Sequence, residues 1–162
     1  MLIINAKLVT WEKENRILDD HAILIENDRI KEIGKSADLL KKYPHEEKLD
    51  ARGQYVMPGN ICAHTHFYGA FSRGMAIPGP APKDFPEILQ KLWWPLDRSL
   101  DAESIQYSAL PCLVDAIRHG TTTLIDHHAS PNAIDASPDI PCDAVEQSGP
   151  CAVARYEVTD PD

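Results

Sequence analysis

Two histidines one residue apart are the residues of this sequence whose type and spacing most directly indicate chemistry. They are His64 and His66, in the stretch NICAHTHFYG at positions 60–69. On a β-strand, side chains two positions apart point to the same face, so both imidazoles would project together. Neutral imidazole binds zinc, iron or nickel, but a catalytic zinc takes about three protein ligands. The pair therefore predicts part of a metal site; two strand histidines satisfied by hydrogen bonds are the alternative.

A second group of candidate residues, Asp126, His127 and His128, follows a β-branched segment. We expect His128 to contact substrate or to support the metal site, and Asp126 to cap the turn that follows. The alternative is a cluster that only caps a loop or a helix. Cys62 shares the strand parity of the histidine pair, and we expect it to act as a small buried hydrophobic residue rather than as a third ligand.

Three further side chains are candidates for substrate binding. Arg73 could anchor a carboxyl or carbonyl group, or it could brace a surface loop. Trp93 and Trp94 could cover a flat heteroaromatic ring, or one of them could pack in the core. No residue of the sequence is assigned as the catalytic acid or base.

The first 57 residues predict a small β-layer that contains one short helix. Apolar and alternating segments predict strands at 2–9, 21–25, 30–34 and 48–57. The polar turn at 26–29 joins two of these strands as a hairpin. Ser36 is the expected N-cap of a helix that runs to residue 42 and ends before Pro44.

From Pro58 onward the pattern changes to strands that alternate with helices. Strands are predicted at 60–66, 121–126 and 152–158, and helices at 86–92, 101–118 and 139–147. Asp101 is the expected N-cap of the longest helix, Gly120 ends it, and Pro111 lies inside it. This alternation predicts the α/β class with parallel strands. The histidine pair would then lie at the C-terminal end of a strand, where (β/α)₈ barrels carry their chemistry.

The composition narrows the choice of partners. Of the 162 residues, 43% are hydrophobic and 25% are charged, which is typical of a globular chain. The net charge of −9 argues against binding to nucleic acid or to an anionic membrane. No apolar run approaches the roughly 20 residues of a membrane span. No targeting segment is visible, and the four cysteines form no CxxC pair, so we expect free thiols and a cytoplasmic protein.

Four stretches of the chain together resemble the amidohydrolase superfamily. Met57–His66 is similar to the first barrel strand of that superfamily, which carries Pro-Gly followed four residues later by His-Thr-His. The stretch 67–75, the pair Trp93–Trp94 and the run 119–128 are similar to its aminohydrolase branch. That branch includes the chlorohydrolase, 8-oxoguanine deaminase and SsnA-like proteins, and the SsnA-like proteins give the nearest resemblance.

The resemblance implies a β-sandwich segment over residues 1–57 and the N-terminal part of a (β/α)₈ TIM-type barrel over residues 58–162. It implies that His64 and His66 bind a divalent metal, with zinc expected and iron as the alternative. Arg73, Trp93 and His128 are the expected substrate-binding residues. The implied activity is metal-dependent hydrolysis of a C–N bond in a small, cyclic or heteroaromatic molecule.

The length of the chain limits this interpretation. A (β/α)₈ barrel takes about 250 residues, whereas about 100 follow Pro58. We therefore expect at most three barrel strands, in an N-terminal portion whose further metal ligands lie in later strands. A second copy of the chain or another chain could complete the barrel. The alternatives are a catalytically inactive fragment and a non-enzymatic β-rich interaction module.

Overall fold

The computed structural model describes residues 1–134, 144–146, 148–149 and 151–156. The chain divides into two compact units, Met1–Pro58 and Gly59–Asp162. Among the described residues, no helix combines the length and the apolar character that crossing a membrane requires.

The first unit is built on a five-stranded sheet and one helix. Its elements are β1 (Leu2–Val9), β2 (Ile17–Glu26), β3 (Arg29–Lys35), α1 (Ser36–Lys42), β4 (Lys48–Asp50) and β5 (Tyr55–Val56). The strand order is β3-β2-β1-β4, and β5 also pairs with β1. The hairpins are antiparallel, whereas β4 and β5 run parallel to β1. The strands expected at both sides of the hairpin turn are present, and the β-sandwich stays a prediction.

The strand predicted at 48–57 is interrupted. Arg52 and Gly53 have φ values of +51° and +77°, so the backbone leaves the extended conformation between β4 and β5. Glycine adopts such angles without a steric penalty, which makes Gly53 a favourable turn residue. The single predicted strand is therefore wrong, because a turn separates two shorter strands.

A β-bulge in β1 decides which of its side chains face which core cluster. Asn5 has a φ of +55°, and the register of β1 against β2 shifts between Ile3 and Ala6. Before the bulge, Leu2 packs with Leu39 of α1, and after it Ala6 packs in a second cluster. An extra residue exchanges the faces of a strand, so the bulge lets one strand serve both clusters.

The expected capping role of Ser36 is wrong. The N-cap of α1 is Lys35, with no side-chain capping bond, and Ser36 is the first helical residue. The Ser36 hydroxyl is buried and accepts a hydrogen bond of 3.0 Å from the backbone N–H of Asn5. The bulge turns this N–H out of the strand ladder, and the serine satisfies it instead.

The second unit contains three described strands that run parallel in chain order. They are β6 (Asn60–Thr65), β7 (Thr121–His128) and β8 (Cys151–Tyr156), in the order β6-β7-β8. Between β6 and β7 the chain forms a 3₁₀ helix (Phe67–Ser72), α2 (Phe85–Ile88), a π-helical turn (Leu89–Trp93), α3 (Trp94–Ser99) and α4 (Ala102–Arg118). The predicted α/β class with parallel strands is confirmed, and the TIM-type barrel stays a prediction.

The helical segment before α4 is longer than the predicted helix at 86–92. It runs from Phe85 to Ser99 and passes through the π-helical turn. Pro95 lies at the start of α3 and has no N–H to donate to the preceding turn. A π-helical turn directly before this proline changes the hydrogen-bond register, so the helical path continues past it.

The predicted ends of α4 are confirmed. The Asp101 side chain accepts a hydrogen bond from the Ser104 N–H, and Gly120 has a φ of +71° just after the helix. Pro111 lies inside α4 at an exposed position. There water can bond the carbonyl that lacks a helical partner, so the helix tolerates the proline.

The strands after α4 differ from the expected ranges at their ends. β7 continues to His128, two residues beyond the predicted end at Asp126. β8 covers most of the strand predicted at 152–158, of which residues 157 and 158 lie outside the described part. The helix predicted at 139–147 also lies mostly outside the described residues, of which 144–146 are helical.

The core of the second unit starts directly beside the histidine pair. Phe67 is 1% exposed and packs with Leu113 of α4 and Leu124 of β7. At the other end of β6, a Cβ atom on Gly59 would lie only 2.8 Å from the Cβ of Thr122. Glycine is therefore required where β6 and β7 begin side by side.

Candidate metal centre

The two histidines lie where β6 ends. His64 belongs to the strand, and His66 keeps an extended backbone just before the 3₁₀ helix. Their Nε2 atoms are 3.1 Å apart, and the rings meet edge to face with centroids 4.9 Å apart. Because side chains alternate along an extended chain, both imidazoles converge on one point. The sequence predicts this arrangement for two ligands of the same metal ion.

A hydrogen bond to β7 fixes the proton on one of these rings. The Nδ1 atom of His66 lies 2.6 Å from the backbone carbonyl of His127. A carbonyl only accepts, so Nδ1 carries the proton and donates it. The Nε2 atom of His66 then presents a lone pair towards His64, which is the tautomer that a metal-binding histidine needs.

The spacing of the two nitrogens fits a bound zinc ion. Zinc–nitrogen bonds are about 2.1 Å long, so two nitrogens on one ion lie roughly 3.0–3.4 Å apart for angles between 90° and tetrahedral. The observed 3.1 Å lies in this range. Within the described residues, no group of three or more histidine, cysteine or acidic side chains could hold a metal ion. The described part of the chain thus offers two ligands.

Asp126 supports the end of β6 from the neighbouring strand. Its Oδ1 atom accepts a 2.8 Å hydrogen bond from the backbone N–H of Phe67, the first residue of the 3₁₀ helix. The side chain is fully buried, and burial raises its pKa from 3.8 to about 6, opposed by the Phe67 hydrogen bond. The expectation that Asp126 caps the turn following it is therefore wrong, because its side chain bonds to the start of a 3₁₀ helix that lies far earlier in the sequence.

His128 lies deeper than the pair. It is 2% exposed, its Nε2 atom forms a 3.0 Å hydrogen bond with the Ser130 hydroxyl, and its ring meets Tyr68 edge to face. Burial, with a smaller effect of His66, lowers its pKa from 6.5 to about 4. The imidazole is therefore neutral at physiological pH. Its expected role in substrate binding stays a prediction.

An aromatic cavity of about 250 Å³ opens beside the histidines. It is lined by His64, His66, Tyr68, Phe85, Leu89, Trp93, Trp94, Asp97 and Ala129. The Trp93 ring lies 5.6 Å from the His66 ring and 5.8 Å from the Tyr68 ring. Both tryptophans that the sequence singled out thus contribute to one wall.

Asp97 is a charged residue of this cavity that sequence reasoning missed. It is 5% exposed and lies on α3, one helical turn after Trp93 and Trp94. Helical residues three or four positions apart share a face, so the spacing carried a usable signal. Tyr68 was also missed, because its position depends on the 3₁₀ helix.

Arg73 and Cys62 do not contribute to this cavity. Arg73 pairs with Asp115 at 3.4 Å, and its side chain is 73% exposed. Its expected contact with substrate stays a prediction. Cys62 packs partly buried against the Phe67 cluster, and its thiol donates to the His64 carbonyl at 3.4 Å, in agreement with a hydrophobic role.

These features define an α/β protein with an imidazole pair and an aromatic cavity at the C-terminal end of a parallel strand. The sequence profile of the amidohydrolase family matches residues 55–160, and the chain belongs to this family. The resemblance drawn from the histidine motif and its surroundings is thereby confirmed at the family level.

Known proteins extend the comparison beyond the family profile. A 5-methylthioadenosine/S-adenosylhomocysteine deaminase of Bacillus cereus is 27% identical over 151 residues, which are 90% of this chain and 32% of that protein. The zinc complex of atrazine chlorohydrolase TrzN from Arthrobacter aurescens is 25% identical, with a TM-score of 0.72 over 96% of this chain and 35% of that one. Guanine deaminase of E. coli, at 20% identity, has a TM-score of 0.67 over 96% of this chain and 36% of its own, which shows a shared fold. The chain spans about a third of the length of the relatives that it matches.

Proposed function

We propose that this chain supplies the first metal ligands and part of the substrate cavity of a metal-dependent amidohydrolase. The reaction is hydrolysis of a C–N bond, as in a deaminase. One observation carries the proposal: the Nε2 atoms of His64 and His66 converge at 3.1 Å, and a backbone carbonyl holds His66 in the metal-binding tautomer. Zinc is the expected ion and iron the alternative.

When bound, such an ion makes a water molecule acidic enough to yield a nucleophile near neutral pH. The residues of this chain have other tasks. His64 and His66 bind the ion, while Asp126 and the His127 carbonyl orient the end of β6. Further ligands and the acid–base group would come from a longer form of the chain, from a second copy, or from another chain. In this proposal, the same additional segment or chain completes the (β/α)₈ barrel and the β-sandwich.

The cavity walls support a proposal for the class of substrate. Trp93, Tyr68 and Phe85 present aromatic surfaces that favour a flat ring, and the buried Asp97 adds a hydrogen-bond acceptor. Relatives named for 5-methylthioadenosine and guanine deamination, and for atrazine dechlorination, agree with a small heteroaromatic substrate. His128 would act behind Tyr68 rather than at the cavity surface.

The charge and the cysteines of the chain support a partner class and a compartment. The net charge of −9 supports a small-molecule partner rather than nucleic acid or an anionic membrane. Cys62 and Cys112 are free thiols in the structure, which supports a reducing compartment such as the cytoplasm.

The proposal is tested by measuring Zn²⁺ binding and then turnover with the same preparation of the chain. Calorimetric titration should show one Zn²⁺ per chain, and H66A should bind it at least tenfold more weakly. H119A, which removes an imidazole from the opposite end of β7, should bind Zn²⁺ like the wild type. Equal binding by the wild type and H66A would contradict the metal site.

The same zinc-loaded chain is then assayed for ammonia release from adenosine, guanine, 5-methylthioadenosine and an amino-substituted triazine. Release that requires both zinc and His66 supports the hydrolase. Zinc binding without any release instead supports a catalytically inactive fragment. Absence of both leaves the β-rich interaction module as the remaining interpretation.

A further inference from the structure

We propose that His127 is the positioning residue of the candidate metal centre and holds both imidazoles of the pair in their binding orientation. The proposal rests on the proposed metal role of His64 and His66. It assigns the supporting function to His127, whereas sequence reasoning favoured its neighbour His128.

The backbone of His127 acts on His66. Its carbonyl accepts the Nδ1 proton at 2.6 Å, which sets both the tautomer and the plane of the His66 ring. A metal-binding histidine commonly donates its second ring N–H in this way, and the bond makes the coordinating nitrogen more basic.

The side chain of His127 acts on His64. The two rings are stacked, with centroids 4.4 Å apart and an angle of 27° between their planes. Among the described residues, the Nδ1 atom of His64 has no hydrogen-bond partner, and its Nε2 atom faces His66. The stack therefore restrains rotation of the His64 ring, whose further ring contact is the one with His66.

Strand register explains how one residue reaches both rings. Thr65 of β6 lies opposite Asp126 of β7, so the next residue of β7 lies beside the end of β6. β7 extends two residues past Asp126, and the first of them, His127, lies beside the pair. Side chains alternate along a strand, and His128 accordingly turns away towards Ser130.

Two substitutions at this position separate stacking from the loss of a histidine. H127F keeps a flat ring against His64, H127A removes it, and both keep the backbone carbonyl. Zinc affinity is measured by competition with a chromophoric chelator. We expect about a tenfold weaker affinity for H127A, since supporting residues of metal sites contribute about this much, and a value within about threefold of the wild type for H127F. H119A serves as the control and should not change the affinity.

A spectroscopic measurement on the metal-free wild type tests the role of the carbonyl even if H127A fails to fold. Imidazole ¹⁵N NMR should show His66 protonated at Nδ1 and unprotonated at Nε2. The visible spectrum of the Co²⁺-loaded chain should shift in H127A and return towards the wild type in H127F.

Wild-type affinity in H127A, or equal losses in H127A and H127F, would overturn the stacking role. A His66 protonated at Nε2 would overturn the carbonyl role. A wild-type chain that binds no Zn²⁺ would overturn the proposed metal site together with this inference, whereas the preceding outcomes leave metal binding intact.

Discussion

The two units of the molecule differ in the polar groups that they bury. In the first unit, Ser36 is buried, whereas the charged groups with shifted pKa values lie in solvent: a hydrogen bond from Lys42 lowers the pKa of Glu32. In the second unit, two carboxylates and an imidazole are buried, namely Asp97, Asp126 and His128. Burial of ionisable groups disfavours folding, and such groups are concentrated at functional sites. We propose from this contrast that the first unit is a scaffold and that the second unit holds the candidate site.

The largest expected effect on stability comes from truncating a core residue, and only truncation in the second unit should also weaken zinc binding. F67A removes a buried ring beside His66 and should lower the free energy of unfolding by about 3–5 kcal/mol. Because Phe67 also fixes the backbone after the pair, zinc affinity should fall with it. Urea unfolding and chelator competition measure the two effects.

The matched change in the first unit is L24A. Leu24 is 2% exposed, and its truncation should lower the free energy of unfolding by about 2–5 kcal/mol without a change in zinc affinity. Weaker zinc binding in L24A would contradict the proposal that the first unit serves only as a scaffold.

Two buried groups of the second unit affect stability in opposite directions as the pH changes. Burial raises the pKa of Asp126 from 3.8 to about 6, so the folded state keeps a proton that the unfolded state has lost. The contribution of Asp126 to the free energy of unfolding is greatest below pH 3.8 and falls by about 3 kcal/mol as the pH rises to 6. Burial lowers the pKa of His128 from 6.5 to about 4, so its stability is complete above pH 6.5 and falls by a similar amount towards pH 4.

In the wild type these two effects largely cancel between pH 4 and 6. D126N removes the aspartate contribution and keeps that of His128. Its free energy of unfolding relative to the wild type should therefore fall as the pH is lowered. H128Q leaves the aspartate effect, and its relative stability should rise over the same range. Urea unfolding at several pH values measures both slopes. Slopes of the same sign in the two variants would show that burial does not control these pKa values.

The features that sequence predicted well depend on neighbouring residues. The cap at Asp101, the hairpin turn at 26–29 and the convergence of His64 with His66 each follow from the geometry of a few consecutive residues. The family resemblance added the fold around the motif, since His-x-His alone occurs in many unrelated strands.

The features that sequence missed depend on contacts between distant segments. The bulge at Asn5 is stabilised by Ser36, 31 positions later, and His66 is oriented by His127, 61 positions later. The choice between His127 and His128 required the register of β7 against β6. A pattern of residue types carries no direct signal for such a register, because either histidine could face the pair.

A smaller effect on the free energy of unfolding is expected when one hydrogen bond is removed from each unit. S36A leaves the buried N–H of Asn5 without its acceptor, which should lower the free energy of unfolding by about 1–3 kcal/mol. D101A removes the exposed cap of α4 and should cost about 1 kcal/mol, since water can bond the freed N–H of Ser104. Urea midpoints of the two variants measure the difference. A larger loss in D101A would contradict the argument that burial determines the cost.

The smallest expected effect concerns Arg73, which the sequence offers as a substrate anchor and the structure places at the surface. Its ion pair with Asp115 spans 3.4 Å between side chains that are 73% and 51% exposed. Such pairs contribute little, so R73A should change the free energy of unfolding by less than about 0.5 kcal/mol and leave zinc affinity unchanged. In a preparation with turnover, the KM of R73A tests the expected contact with substrate, and an unchanged KM would contradict that contact. A tenfold rise in KM with constant kcat would instead show that Arg73 reaches bound substrate, and the site would then extend beyond the cavity beside the histidines.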